Sequence, residues 1–288
     1  MQIVIDIPED VYKRTVFYRE FRDLNDCVAT IKALEKATPL PGGHGMRIYG
    51  DKLDISQDAI AKFYDSRAAG ADEKKYTTVL LGDQDADYAR RWDEYEKNLI
   101  LPQLDIRNTS MVLDLGCGIG RWADALHDKC FCYFGVDVSS GMIKEARKKY
   151  EDDNCRFFQL SVADALSSLD RSIFDNIIMT GVAMYINDDT LAECYKQIWQ
   201  IANPGTIIYF EESVGVDQRL TLDQIWSENL KSNYSAIYRT REEYMTMILN
   251  CMGDICILDE GYMSELDKAE QSDTSHWFIL FRINEGKE

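Results

Sequence analysis

Three glycines and two carboxylates carry the chemistry that stands out in this chain. Gly116, Gly118 and Gly120 follow an apolar run, Val112-Leu113-Asp114-Leu115, with Asp114 just ahead of the first glycine. A second apolar run, Phe131 to Val136, ends in Asp137. Glycine lets a strand-to-helix turn take positive φ and lets the backbone approach a ligand closely. A strand, a glycine turn, a helix and a strand-end acid form the signature of a nucleoside-binding α/β unit. The dinucleotide fingerprint is G-x-G-x-x-G, with the pyrophosphate on a helix N-terminus. Here the spacing is G-x-G-x-G. The Asp114 carboxylate would repel a pyrophosphate and would suit a cationic amino group.

The run Val112-Leu113-Asp114-Leu115-Gly116-Cys117-Gly118-Ile119-Gly120-Arg121-Trp122 closely resembles the first motif of the class I (Rossmann-like) S-adenosylmethionine-dependent methyltransferases, a resemblance that extends from about residue 58 to the C-terminus. It implies S-adenosylmethionine (SAM) as cofactor, with Asp114 and the three glycines in its cradle. Asp137, followed by Val138, matches the acid that bonds the ribose hydroxyls in that family. Met142 falls where an apolar side chain lies against the adenine. Ser161-Val162-Ala163-Asp164 resembles the third motif, in which an acid such as Asp164, beside Ala163, reads the adenine amino group. Phe174 to Gly181 resembles the fourth strand, whose end, at Thr180, lies beneath the methionine part of the cofactor. Phe63-Tyr64-Asp65-Ser66-Arg67-Ala68 resembles the family's opening aromatic stretch. There Tyr64 could cover the methionine end and Arg67 could bond its carboxylate; alternatively Tyr64 is core and Arg67 a surface ion-pair member.

Candidate acceptor-side residues follow the later strands. Tyr185, after the fourth strand, could orient an acceptor, shield the sulfonium or simply pack. Glu211 and Glu212 are adjacent on the fifth strand, so only one can face the cleft; Glu212 is the candidate base. An insertion at about 213–250 is expected to cap the substrate. It holds Arg219, Tyr234, Tyr238 and Arg239, which could grip a carboxylate, phosphate or sugar; alternatively Arg239 and Arg241, beside Glu242 and Glu243, are helix-surface charge.

These residues must be positioned by regular elements. Apolar runs at 111–115, 132–137, 156–160, 174–180, 205–211, 255–261 and 275–282 predict seven strands with helices between them. That alternation implies an α/β fold with a mainly parallel sheet, right-handed crossovers and helices on both faces. The last strand follows its predecessor too closely for a crossover helix, so it is expected to be antiparallel. Residues 56–107 carry a helical pattern that starts at Ile60, Phe63 and Tyr64 and continues through Tyr88, Trp92, Tyr95, Leu99 and Leu101. Residues 1–50 form a small N-terminal extension: a strand at Ile3, Ile5 and Ile7, a helix capped by Asn25 or Asp26, and a breaker-rich linker through His44. This extension resembles short N-terminal pieces of phage-associated proteins of Gram-positive bacteria. The methyltransferase domain is assigned to 51–288.

Composition narrows the partners. At 288 residues, the chain can bury a substantial core. Its net charge of −18, from 32 basic and 50 acidic side chains, opposes binding to nucleic acid. No apolar run approaches the ~20 residues of a membrane span, and the N-terminus lacks a secretory pattern. A cytoplasmic location and no membrane partner are therefore expected. Eight cysteines without framework spacing are expected to be reduced. The Cys130-x-Cys132 pair shares one face of a strand, a spacing that suits core packing, so no metal is assigned. The expected activity is methyl transfer from SAM to an oxygen or nitrogen of a small molecule, such as a sugar or nucleotide sugar. A protein or peptide methyltransferase and a non-catalytic SAM-binding subunit are the alternatives. A homo-oligomer is compatible with all three.

Overall fold

The computed structural model describes residues 45–69, 75–80, 86–169, 173–263 and 273–284. The strand, helix and linker expected in residues 1–44 lie outside this set. Strand β1 (Met46–Tyr49) precedes three helices, α1 (Gln57–Ala68), α2 (Lys75–Leu80) and α3 (Ala86–Ile100), which account for the helical pattern of 56–107. The alternating part then runs β2 (Met111–Leu115), α4 (Ala123–Leu126), β3 (Cys132–Asp137), α5 (Ser140–Tyr150), β4 (Cys155–Gln159), α6 (Val162–Ser167), β5 (Asn176–Thr180), α7 (Asp188–Ile201) and β6 (Ile207–Gly215). A hairpin, β7 (Leu220–Ser227) and β8 (Ser232–Tyr238), interrupts the alternation before α8 (Arg241–Cys251), β9 (Ile255–Tyr262) and β10 (Thr274–Ile283).

Seven strands form one sheet in the order β4-β3-β2-β5-β6-β10-β9. The pairs β4–β3, β3–β2, β2–β5 and β5–β6 are parallel, and β10 runs antiparallel to both neighbours, as expected. The central strands read as unbroken apolar runs because both of their faces are covered. On one face Val112, Ile178, Tyr209 and Leu280 pack with Trp92 and Ile100 of α3 and Ile143 of α5. On the other, Leu113, Ile177, Phe210 and Ile279 pack with Leu166, Leu191, Ile198 and Ile248 of α6 to α8. Each fully buried aliphatic side chain of this kind contributes about 1.5–3 kcal/mol, so both layers hold the strand ends in place.

The order of strands reverses at β2, between β3 and β5. A doubly wound sheet leaves a crevice at such a switch point, outside the carboxyl ends of its strands. Helix α1 closes one side of it. Asp65 on α1 accepts hydrogen bonds from the Ser139 hydroxyl (2.6 Å) and the Gly141 amide (3.0 Å) at the start of α5. These bonds hold its carboxyl below the usual carboxylate range. A second, three-stranded antiparallel sheet, β1-β7-β8, lies beside the crevice. Its β7–β8 hairpin occupies the middle of the stretch expected as a cap, while α8 is the crossover helix to β9. Among the described residues no helix is long and apolar enough to cross a membrane, and no His, Cys, Asp and Glu cluster could hold a metal.

Candidate functional site

One cavity of about 550 Å³ runs along the strand ends, and it has two unlike halves. The first is the glycine turn after β2. Gly116, Gly118 and Gly120 have φ of +82°, +53° and +83°. A Cβ on Gly116 would collide with the Val182 side chain, and one on Gly118 would meet Val79 Cγ1 at 2.8 Å. Both conformation and close approach therefore demand glycine at these two positions. The Gly116 and Cys117 amides donate to the Val136 carbonyl at 2.7 and 2.9 Å, which ties the turn to β3. Asp137 accepts from the Gly118 amide (3.0 Å) and the Ser139 amide (2.8 Å). Burial nevertheless pushes its carboxyl up to about 6, against the pull of those two bonds. Asp114 is buried and accepts a bond from the Tyr133 hydroxyl. Burial pushes it up to about 7, although that bond and the Arg121 charge oppose the shift. Val138 and Ala163 complete the apolar wall of this half.

Four residues expected at the cofactor do not line the cavity, and each has another occupation. Gly120 packs its turn against the Tyr150 ring. Met142 is wholly buried beside Ala68 and Ile119. Asp164 is exposed and accepts from the Ser161 hydroxyl at 2.7 Å, within the cap of α6. The Arg67 guanidinium donates to the Thr77 and Thr78 carbonyls and lies over the Phe63 ring, so it ties α1 to α2.

The second half is made of side chains from elements far apart in sequence. Tyr64 of α1, Tyr185 after β5, and Tyr234 and Tyr238 of β8 line it together. The Tyr185 and Tyr234 hydroxyls are 2.8 Å apart, and the Tyr238 hydroxyl donates to that of Tyr234 at 3.3 Å. Burial pushes the Tyr64, Tyr185 and Tyr234 phenols well above the ordinary value, so they remain protonated. Thr180 Oγ1 accepts from Arg121 (3.1 Å) and from the Trp122 indole (3.3 Å). Arg121 is itself paired with Asp93 at 3.1 Å and Glu96 at 2.5 Å.

The adjacent glutamates divide as strand alternation requires, but with the opposite phase to the one expected. Glu211 lines the cavity. Glu212 points to the other face, where its carboxylate accepts from the amides of Val182 (3.0 Å), Ala183 (2.6 Å) and Met184 (3.1 Å). Burial and the Glu211 charge push Glu212 up to about 8, against those three bonds. It positions the loop that carries Tyr185 and is not a base facing an acceptor. Diagonal to Glu211 in the cavity wall stands His276 of β10, a residue not among the site candidates expected from the sequence. An antiparallel last strand beside the fifth is the signal that could have placed it there.

Arg219 and Arg239 do not reach the cavity either. Arg219 donates to Asp188 (2.8 Å) and Glu243 (3.3 Å). Arg239, fully buried, donates to Asp188 and to the carbonyls of Ala183 (2.9 Å) and Ile186 (2.7 Å). Despite partial burial, the Arg219 bonds and the Arg239 charge hold Asp188 well below the usual carboxylate range. The insertion thus contributes tyrosines to the cavity and uses its arginines as struts.

A switch-point crevice, a positive-φ glycine turn after the first central strand and an acid ending the second define a nucleoside-binding, doubly wound α/β protein. Residues 112–205 match the family described as "Methyltransferase domain". Over those residues, and with this sheet order and cradle, the chain is similar to SAM-dependent methyltransferases. It is 24% identical over 164 residues to phosphoethanolamine N-methyltransferase 1 of Zea mays, a match covering 57% of this chain and 32% of that protein. It is 29% identical over 116 residues to malonyl-[acyl-carrier protein] O-methyltransferase of Acetivibrio thermocellus, covering 35% of this chain and 38% of that protein. The chain therefore spans about a third of the length of these curated relatives. Its fold is similar to that of Haemonchus contortus phosphoethanolamine N-methyltransferase 1, solved with phosphoethanolamine and S-adenosylhomocysteine. The TM-score is 0.61 at 15% identity, over 81% of this chain and 50% of that one.

Proposed function

We propose that this protein is an enzyme that transfers a methyl group from SAM to an oxygen or nitrogen of a small-molecule acceptor. The observation that carries this reading is the Asp137 carboxylate. It is fixed by the Gly118 and Ser139 amides at the rim of a cavity walled by Gly116, Gly118, Val138 and Ala163. These residues fit the cofactor: Asp137 for the ribose hydroxyls, Asp114 for the amino group, and Val138 and Ala163 for the flat base. When bound, SAM supplies a methyl group on a positively charged sulfur, and the chain's own residues do the rest. Tyr64, Tyr185, Tyr234 and Trp92 wall off the second half and exclude water from it. Thr180, held by Arg121 and Trp122, keeps a polar group at the junction between the halves.

The phosphate-bearing acceptor named for the maize and nematode relatives is not carried over to this chain. Arg219 and Arg239 lie outside the cavity. Among the described lining residues, the Arg121 and His276 side chains are already held by carboxylates. The tyrosine-lined half of a cavity of about 550 Å³ favours a small molecule over a peptide.

The test is a calorimetric titration of SAM into the wild-type chain and Asp137→Ala, followed by transfer of label from methyl-labelled SAM into a bacterial extract split by size. Weakened binding in a folded Asp137→Ala protein and label in the small-molecule fraction are expected. Unchanged affinity overturns the cofactor assignment, and label only in the macromolecular fraction overturns the acceptor class.

A further inference from the structure

We infer that His276 is the proton acceptor of the acceptor half and that Glu211 is its positioning residue, so the methylated group enters with a proton to lose: a hydroxyl or an ammonium. This inference rests on the proposed methyl transfer.

The pairing of β10 with β6 builds the pair. Phe278 sits opposite Glu211 and His276 opposite Ser213, so Glu211 and His276 are diagonal neighbours on one face of the sheet. His276 Nδ1 lies 2.9 Å from Glu211 Oε1. The imidazole also packs against the Trp92 ring of α3, with centroids 4.1 Å apart, which fixes its plane. Both side chains line the cavity.

Exposure assigns the roles. The Glu211 side chain is 7% exposed and the His276 side chain 33%. The buried carboxylate orients the imidazole and stabilises its protonated form, and the more open ring faces the occupant, the arrangement by which a base is oriented by a third group. Other ionisable groups of the wall are committed elsewhere. Asp114 is bonded by Tyr133, and Tyr185 and Tyr234 are bonded to each other. Glu212 faces the opposite side of the sheet.

His276 takes the proton of the acceptor hydroxyl or ammonium. The electron pair left on oxygen or nitrogen forms the bond to the methyl carbon, and the carbon–sulfur pair stays on sulfur. The imidazolium, neutralised by Glu211, later releases its proton to water. Among the described residues, the titratable and charged groups around the pair include Glu96 on α3, Arg121 ahead of α4, Tyr209 and Glu212 on β6, and Tyr88 on the same wall.

The experiment uses the full chain, with His276→Gln and Glu211→Gln, and His276→Asn if the first variant fails to fold. Calorimetry with SAM comes first: both variants should keep wild-type affinity. A wild-type chain that binds no SAM sinks the proposed function, a failure distinct from the present one. Imidazole NMR then follows the three histidines, His44, His127 and His276, through pH, with His276 assigned by its loss in His276→Gln. Glu211→Gln should lower the His276 midpoint by about one pH unit; a midpoint left in place overturns the pairing, and this arm needs no acceptor. Label transfer from methyl-labelled SAM to the small-molecule fraction of a bacterial extract should fall about 100-fold or more in His276→Gln. In Glu211→Gln the acidic limb of the rate–pH profile should move with the imidazole midpoint. Wild-type transfer by His276→Gln across the pH range overturns the role of the imidazole.

Discussion

The cofactor half of the cavity is built largely from backbone, and the acceptor half from side chains. In the first half, one continuous run from Asp114 to Ser139 supplies the turn, the amides and both acids, and the constraints are φ angles and close approach. In the second half, Tyr64, Trp92, Tyr185, Glu211, Tyr234 and His276 come from α1, α3, the loop after β5, β6, β8 and β10. The glycine turn of the first half can be altered only by disturbing the chain path. The second can change its chemistry one side chain at a time, while the sheet stays as it is.

Four changes would break or sharpen this contrast. The largest effect is expected from Gly116→Ala, which forces a positive φ on alanine and drives a methyl into Val182. It should lower unfolding stability by about 2–5 kcal/mol in urea denaturation and abolish SAM binding. A stable, binding-competent Gly116→Ala would show that this half is not backbone-limited. Next, Asp137→Ala should weaken SAM about 10- to 100-fold, the loss of hydrogen bonds to a charged group, with little change in fold.

The third change is in pH. Burial pushes the Asp114 carboxyl up to about 7. An amino group opposite it needs the ionised form, so affinity should rise about tenfold per unit as pH climbs toward that value and level off above it. Asp114→Asn should flatten the profile, and calorimetry from pH 5 to 8 reads it. The sign for stability is the reverse. The folded chain keeps a proton that the unfolded chain loses near ~3.9, so this group's contribution falls as pH rises between those two values. The smallest effect is expected from Tyr234→Phe, which removes the hydroxyl pair with Tyr185. It should cost about 1 kcal/mol of stability and leave SAM affinity within twofold. A tenfold loss would mean that the halves are not separable.

The same contrast explains what could be read from the residues alone. Strands β2 and β3 fall on 111–115 and 132–137 as expected, because strands covered on both faces leave continuous apolar runs. Strand β6 runs four residues past its expected end at 211, because the polar residues after Tyr209 and Phe210 are held by pairing with β10. The hairpin β7–β8 falls inside the stretch expected as a substrate cap, where no strand is predicted, although Tyr234, Ala236 and Tyr238 recur at the spacing of a strand face. The cradle glycines and Asp137 were legible because their job is local. Glu211 and His276 were not, because their meeting depends on register between strands 65 residues apart. Alternation shows that Glu211 and Glu212 oppose each other. The phase is set by the three amides after β5 that claim Glu212.

Asp188 has a consequence for how such a protein could diversify. Its carboxylate receives Lys52 before α1, Arg219 at the entry to the hairpin and Arg239 at its exit, and Arg239 also holds the carbonyls of Ala183 and Ile186. Both roots of the hairpin are therefore bolted to the start of α7 through one half-buried anion. A chimera that exchanged only residues 220–238 for a relative's hairpin would keep this joint and inherit a new acceptor wall. A crossover placed between Asp188 and Arg239 would leave buried charge without its partner on both sides of the seam.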